Sequence, residues 1–423
     1  MKRVVAYYPS WSISADHENF RPNQIDFEKI THLNYAFIDI DRSTSTVALL
    51  DSYAENQLLL ELTAAAKKYP HVKMMFSVGG WLRSAGFRAA AATQAARVSF
   101  ADSCVALMRK WNFHGIDLDW EYPTFRRHGD TIDHPNDQGT PEADDAEAET
   151  FPLLLKTVRE KLDAAGREDG CHYLLSIVVS INPRINWKVA PNTYAHYVDF
   201  IHVMSYDMHG AFENITGHHS ALFANPYEPY DELERTYFNT DAAMQFFLAC
   251  GIPKDKLVLG IPFYSRGWGS VSKNYPIKAA THGIDLPGLF TYGTNTTKGQ
   301  WDGGVNAGCN PYHYIEMGLL ADPSFTKYRD PWAKTPYIYS ATKNEMYTYE
   351  DAWSIREKMK YVKRNGYGGC IVWELTGDRT GQLLTAICEE LHGKPSTING
   401  ESTNHLDNNC IQVIVNGVDT TLK

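Results

Sequence analysis

Phe113-His114-Gly115-Ile116-Asp117-Leu118-Asp119-Trp120-Glu121-Tyr122-Pro123 sets three carboxylates at alternate positions among apolar residues. A β-strand sends successive side chains to opposite faces. Asp117, Asp119 and Glu121 therefore share one face, while Ile116, Leu118 and Trp120 share the other. Pro123 closes the segment. Three like charges that close repel one another, so at least one carboxyl must hold a proton near neutrality. Folding alone gives no reason to build such a file, whereas acid catalysis does. The structural alternative is an acidic edge strand facing solvent.

Working outward, seven further β-branched or aromatic runs flank this one: Val4–Tyr8, His32–Ile38, Lys73–Val78, Tyr173–Ser180, Phe200–Tyr206, Leu257–Phe263 and Gly369–Glu374. Helix-like stretches lie between them, among them Ala54–Lys68, Gln94–Trp111, Ala146–Ala165, Thr240–Cys250 and Glu350–Asn365. With the quoted run counted from Gly115 to Glu121, eight strands alternate with helices. This predicts an α/β fold, a (β/α)8 TIM barrel. Glu121 ends the fourth run, at the carboxyl edge where barrel sites form. Thr124–Asp145 reads as a long polar loop beside that site, carrying Arg126, Arg127 and His128. Gly267–Tyr347, rich in Gly, Tyr and Trp, reads as a small α+β insertion between strands seven and eight, forming one wall of a groove. The expected divisions are residues 1–266 and 348–393 for the barrel, 267–347 for the insertion and 394–423 for a polar tail. In that tail only Ile411–Val415 has strand character, and no chemistry is assigned to it.

The chain has 423 residues, 43% hydrophobic and 21% charged, ample for a globular core. A net charge of -10 with scattered basic residues argues against nucleic acid and anionic membranes. No apolar run approaches the roughly 20 residues that span a bilayer. Met1-Lys2-Arg3 followed by Val4–Tyr8 is too short and too soon interrupted by Pro9, Ser10 and Trp11 for a leader, and reads as the first strand. The seven cysteines are widely spaced, without a Cys-x-x-Cys pair. They predict mostly single buried thiols and no zinc site. His218-His219 is rejected as a metal site because adjacent side chains point apart on most backbones. Aromatic content of 13% suits sugar binding, although most rings are expected in the core.

Five motifs, in order, resemble the family 18 glycoside hydrolases, the chitinases. His114-Gly115-Ile116-Asp117-Leu118-Asp119-Trp120-Glu121 matches the family's Asp-x-x-Asp-x-Asp-x-Glu signature in all but its first Asp. Ser77-Val78-Gly79-Gly80-Trp81, Met204-Ser205-Tyr206-Asp207, Pro262–Arg266 and Gly368–Trp373 match the others. Each alone is weak; together they span roughly residues 1–392.

The resemblance implies hydrolysis of β-1,4-linked N-acetylglucosamine polymers, chitin or its oligosaccharides, with retention. Glu121 is then the general acid and base, and the substrate's own acetamide is the nucleophile, giving an oxazolinium ion. Asp119 holds the acetamide N–H and stabilises developing positive charge, and Asp117 shares a proton with Asp119. Tyr206 donates to the acetamide oxygen, and Asp207 binds the same sugar. Met204 lines the methyl pocket and Trp373 floors the distorted sugar. Tyr7 and Ser77 stand behind Asp117. Trp81 and Arg266 meet neighbouring sugars, and Tyr122, Phe212 and Tyr264 complete the substrate-binding set. For all of these the alternative is ordinary barrel packing. No metal or organic cofactor is required.

Two positions depart from the pattern. His114 replaces the first Asp, which alters a structural hydrogen bond far from the cleaved bond. Phe212 stands where many relatives carry Trp, losing an N–H donor. A lectin that has lost turnover is disfavoured by the intact carboxylate file. A role as a subunit of a larger complex is left room by the chain's ends, and the chitobiose core of N-glycans is a second substrate within the same chemistry. The resemblance places the protein outside the cell, although the chain shows no signal peptide.

Overall fold

In the computed structural model all eight predicted runs are strands. The described residues are 1–131, 134, 137–273, 286–302, 306–393, 396–398 and 401–403. In chain order the first strands are β1 (Arg3–Pro9), β2 (His32–Asp41), β3 (Thr46–Ala48), β4 (Lys73–Gly79) and β5 (Gly115–Asp119). They are followed by β6 (Leu174–Ser180), β7 (Phe200–Met204) and β8 (Leu257–Pro262). The insertion adds β9 (Arg266–Trp268), β10 (Thr326–Asp330), β11 (Thr335–Ser340) and β12 (Glu345–Thr348), and β13 (Gly369–Trp373) completes the barrel. Eight strands run parallel in the order β1-β13-β8-β7-β6-β5-β4-β2, and pairing of β1 with β2 closes the ring. The short β3 adds antiparallel to β2.

Helices cover the outside, several of them started by a side-chain cap. Thr93 accepts from the Ala96 N–H to begin Gln94–Lys110, and Asp51 caps Ser52–Ala66. Asp351 and Ser354 form a reciprocal capping box on Ala352–Asn365, which stops at left-handed Gly366. Ile116, Leu118 and Trp120 are buried beneath this layer, with Trp120 stacked on Phe87 at 5.2 Å. The outer face of the quoted strand is therefore core, and the solvent-facing edge strand is excluded.

The insertion is a four-stranded antiparallel sheet, β10-β11-β12-β9, with a helix at Tyr312–Met317. Its core is separate from that of the barrel and centres on Trp268, Leu289, Tyr337 and Met346. No disulfide joins any two of the six described cysteines; Cys104 and Cys370 are buried, but Cys171 is exposed and the other three are half-buried. Most are thus not the buried thiols that spacing suggested. In the tail, β14 (Ser396–Ile398) pairs with β15 (Glu401–Thr403). The expected strand at 411–415, like Cys410, lies outside the described residues. No helix among the described residues is long and apolar enough to cross a membrane.

Candidate active site

Register sets the first layer of the site. Ser77 on β4 lies opposite Asp117 on β5, which lies opposite Ser176 on β6, so the three side chains meet in one layer of the barrel interior. Both serine hydroxyls donate to Asp117, Ser77 to Oδ2 at 2.8 Å and Ser176 to Oδ1 at 2.6 Å. The Tyr7 hydroxyl adds a third bond to Oδ2 at 2.6 Å. Tyr7 spends its proton there, so the bond of 2.9 Å to His202 takes its hydrogen from Nδ1 of the ring. Burial pushes the His202 pKa down to about 4, keeping the ring neutral. Ser176 and His202 were not singled out from sequence; their signal is a polar residue inside an otherwise apolar strand.

Two residues further along, strand geometry gives way. β5 ends at Asp119 rather than Glu121, because the Glu121 N–H turns to Ser84 Oγ (2.7 Å) instead of a neighbouring strand. Ser84 in turn donates to the Gly80 and Asp119 carbonyls, tying the turn to the Gly79-Gly80 corner. A Cβ on Gly79, whose φ is +102°, would stand 2.4 Å from the Asp119 carbonyl oxygen, which explains the glycine at that position. Glu121 still reaches the same cavity as Asp119, and the two carboxyls hydrogen-bond each other. Asp119 was expected to share its proton with Asp117. Here Asp117 is occupied by three hydroxyls, and the partner of Asp119 is Glu121. Asp119 Oδ1 has no partner among the described residues.

Burial dominates the electrostatics of this pair. It pushes Asp119 well above the usual carboxylate range, helped by the charges of Glu121 and Asp117. It raises Glu121 to about 7, against bonds from Asp119 and Tyr122 and the nearby Arg127 cation. The site therefore holds a proton at neutral pH on the pair beside the open cavity, as crowding demanded.

Asp207 lies across the groove in a left-handed conformation (φ +54°). It accepts from the Tyr264 hydroxyl at 2.8 Å and from Arg266 Nε at 2.8 Å, while His219 Nδ1 stands 3.6 Å away. Arg266 holds the Asp207 carboxyl below its ordinary pKa, overcoming burial. Tyr264 and Arg266 are thus joined to Asp207 as one unit. The neighbouring His218 bonds Asp330 instead, at 3.0 Å, so the adjacent histidines serve different carboxylates. His114 sits away from this chemistry and accepts the Met74 N–H at 3.1 Å.

These groups open into a groove of about 770 Å³, lined by Tyr7, Trp81, Asp119, Glu121, Tyr122, Met204, Tyr206, Asp207, Phe212, Tyr264, Arg266 and Trp373. Every predicted site residue except Ser77 and Asp117 faces it, and those two lie fully buried behind it. Trp373 stacks on Phe37 at 5.5 Å and meets the edge of Tyr7 at 5.3 Å. Phe37, Trp11 and Trp301 also line the groove and escaped sequence reading, because single aromatics carry no spacing signal. Trp301 comes from the insertion. It stacks on His17 at 4.5 Å and donates its indole N–H to the Asp16 carbonyl at 3.1 Å, fastening the insertion to the loop after β1. Buried carboxyls that share a proton, facing an aromatic-lined groove, suit acid-assisted cleavage of a glycosidic bond.

Residues 3–378 match the family model for glycosyl hydrolases family 18. Chitinase A1 of Niallia circulans is 32% identical over 92% of the chain, which spans only 58% of that relative's length. Endochitinase 1 of Metarhizium robertsii is 31% identical over 93% of the chain and 86% of its own length. Among solved structures, chitinase ChiA74 from Bacillus thuringiensis superposes with a TM-score of 0.81 at 30% identity, covering 94% of this chain and 71% of that one.

Proposed function

The chain belongs to the glycosyl hydrolases of family 18, and on that premise we propose that it is a chitinase. It hydrolyses β-1,4-linked N-acetylglucosamine chains with retention, through attack by the substrate's own acetamide oxygen. The observation that carries this reading is the buried Asp119–Glu121 pair, two carboxyls bonded to each other and lining the groove. Glu121, poised near neutrality, protonates the departing glycosidic oxygen and then takes a proton from the incoming water. A protein nucleophile is hard to find among the neighbouring carboxylates. Asp117 lies buried behind the cavity under three hydroxyls, and Asp207 is committed to Tyr264 and Arg266. That leaves the acetamide, whose N–H meets Asp119 Oδ1, which has no partner among the described residues. The Tyr206 hydroxyl, whose phenol burial keeps firmly protonated, donates to the acetamide oxygen. Trp373 supports the distorted ring, Met204 borders the methyl group, and Asp207 fixes a hydroxyl of the same sugar.

The names of the relatives, chitinase and endochitinase, support chitin over other glycans. The insertion supports a long linear substrate by raising one wall of the groove. Work on such a polymer places the protein outside the cell that makes it. The test is hydrolysis of N-acetylglucosamine oligomers by wild type and Glu121→Gln, with the released anomer identified. Release of the β-anomer, lost in the variant, is expected. Initial release of the α-anomer, or turnover surviving in Glu121→Gln, refutes the mechanism.

A further inference from the structure

We propose that Arg127 is a positioning residue. Locked to Asp137 behind the groove wall, it holds the Trp81 ring so that its open face meets a sugar bound next to the scissile bond. The identity of that sugar rests on the chitinase reading; the fixation of the ring does not.

Three observations converge. The Arg127 guanidinium carbon lies 3.6 Å from the centroid of the Trp81 ring, flat against one face. The same guanidinium donates to the Trp81 carbonyl, so ring and backbone are gripped by one side chain. Its charge is met by a buried ion pair with Asp137, and Asp137 also accepts the backbone N–H groups of Asp130 (2.8 Å) and Gly139 (3.0 Å). Arg127 itself is buried and does not line the groove, whereas Trp81 does. One ring face is therefore covered from behind and the other is left to the cavity. The indole Nε1–H is buried with no partner among the described residues. Closed off in this way, the N–H leaves the open ring face as the surface offered to the groove. Trp81 meets Tyr122 edge-on at 6.5 Å, and Tyr122 directly follows Glu121. The ring is thus presented beside the proton donor.

The arrangement does more than pack a loop. Asp130 and His134 line the groove from the same loop, and Asp137 anchors it through its bonds to Arg127 and to the Asp130 N–H. Wall, platform and loop share one ionic joint. A free indole loses rotamer freedom when a sugar lands on it; a clamped one has already lost it. The expected consequence is on substrate affinity rather than on the chemical step.

The test compares wild type with Arg127→Lys and with the paired Arg127→Met/Asp137→Asn, which leaves no lone charge buried. With chito-oligosaccharides, both variants are expected to raise KM about tenfold while kcat changes less than about threefold. In 15N indole spectra, with Trp81→Phe identifying the signal, a single sharp Trp81 peak in wild type should split or broaden in both variants. KM at the wild-type value in a folded variant, or a fall in kcat alone, overturns the proposal, as does a Trp81 peak unchanged by the substitutions. If wild type turns over no chito-oligosaccharide, the chitinase reading fails, and the indole spectrum alone still decides whether Arg127 fixes the ring.

Discussion

Asp117 and Asp119 stand two residues apart on the same strand, and their surroundings are opposite. Asp117 is enclosed by Tyr7, Ser77 and Ser176, each giving it a hydroxyl. Asp119 has an oxygen with no partner among the described residues, the carboxyl of Glu121 bonded to it and an open groove beside it. A buried carboxylate with enough donors is tolerable, whereas one without them takes up a proton. The barrel satisfies one acid completely and deliberately starves the next. In the proposed mechanism the first belongs to the scaffold and the second, with Glu121, to the chemistry.

The sharpest way to break the contrast is at its starved end. Glu121→Gln is expected to lower kcat on chito-oligosaccharides about a thousandfold, the range of a lost general acid, checked by steady-state kinetics with intact folding shown by circular dichroism. Asp119→Asn keeps shape and removes charge stabilisation; a fall of about a hundredfold is expected in the same assay. The stability of these acids should run the other way. Burial raises Glu121 from its ordinary 4.5 to about 7 in the folded protein, so the folded state holds extra protons between those limits. Stability contributed by the protonated form is present at low pH and is lost as pH rises through 7. Glu121→Gln should therefore be more stable than wild type at pH 8, by about 3 kcal/mol, and the gap should narrow to about 1 kcal/mol near pH 5. Denaturant melts at both pH values measure it. At the satisfied end, Ser176→Ala should cost about 1 kcal/mol of stability, because Asp117 keeps two donors. Activity should fall far less than in Asp119→Asn; an equal fall would erase the distinction.

Much of this was legible in the sequence, for physical reasons. The barrel follows from eight runs whose alternation or apolar continuity fixes a period, and the carboxylate file from that same period applied to Asp117, Asp119 and Glu121. What escaped depends on closure. Ser176 and His202 reach Asp117 and Tyr7 only because β6 and β7 come into register around the ring, and no local pattern announces this. Ser84 ends β5 by taking the Glu121 N–H, so the strand's true end was set by a residue 37 positions earlier. Trp11, Phe37 and Trp301 were invisible as groove-lining aromatics because their place around the closed barrel, rather than residue type, distinguishes them from the other rings. The exchange of proton partners, with Asp119 turned to Glu121, is a question of side-chain direction, which spacing does not encode.

The ring of strands closes where β13 slots between β1 and β8. Trp373, at the end of β13, touches Tyr7 near the start of the chain. During synthesis, every strand before β13 can emerge and pair while β1 and β8 still present bare edges, open to any other extended chain. The ribosome must make the whole insertion before the segment that covers those edges appears. A chain cut short before residue 369 would be a sheet with two sticky margins and half a floor, a natural client for chaperones and a poor catalyst however intact its acids.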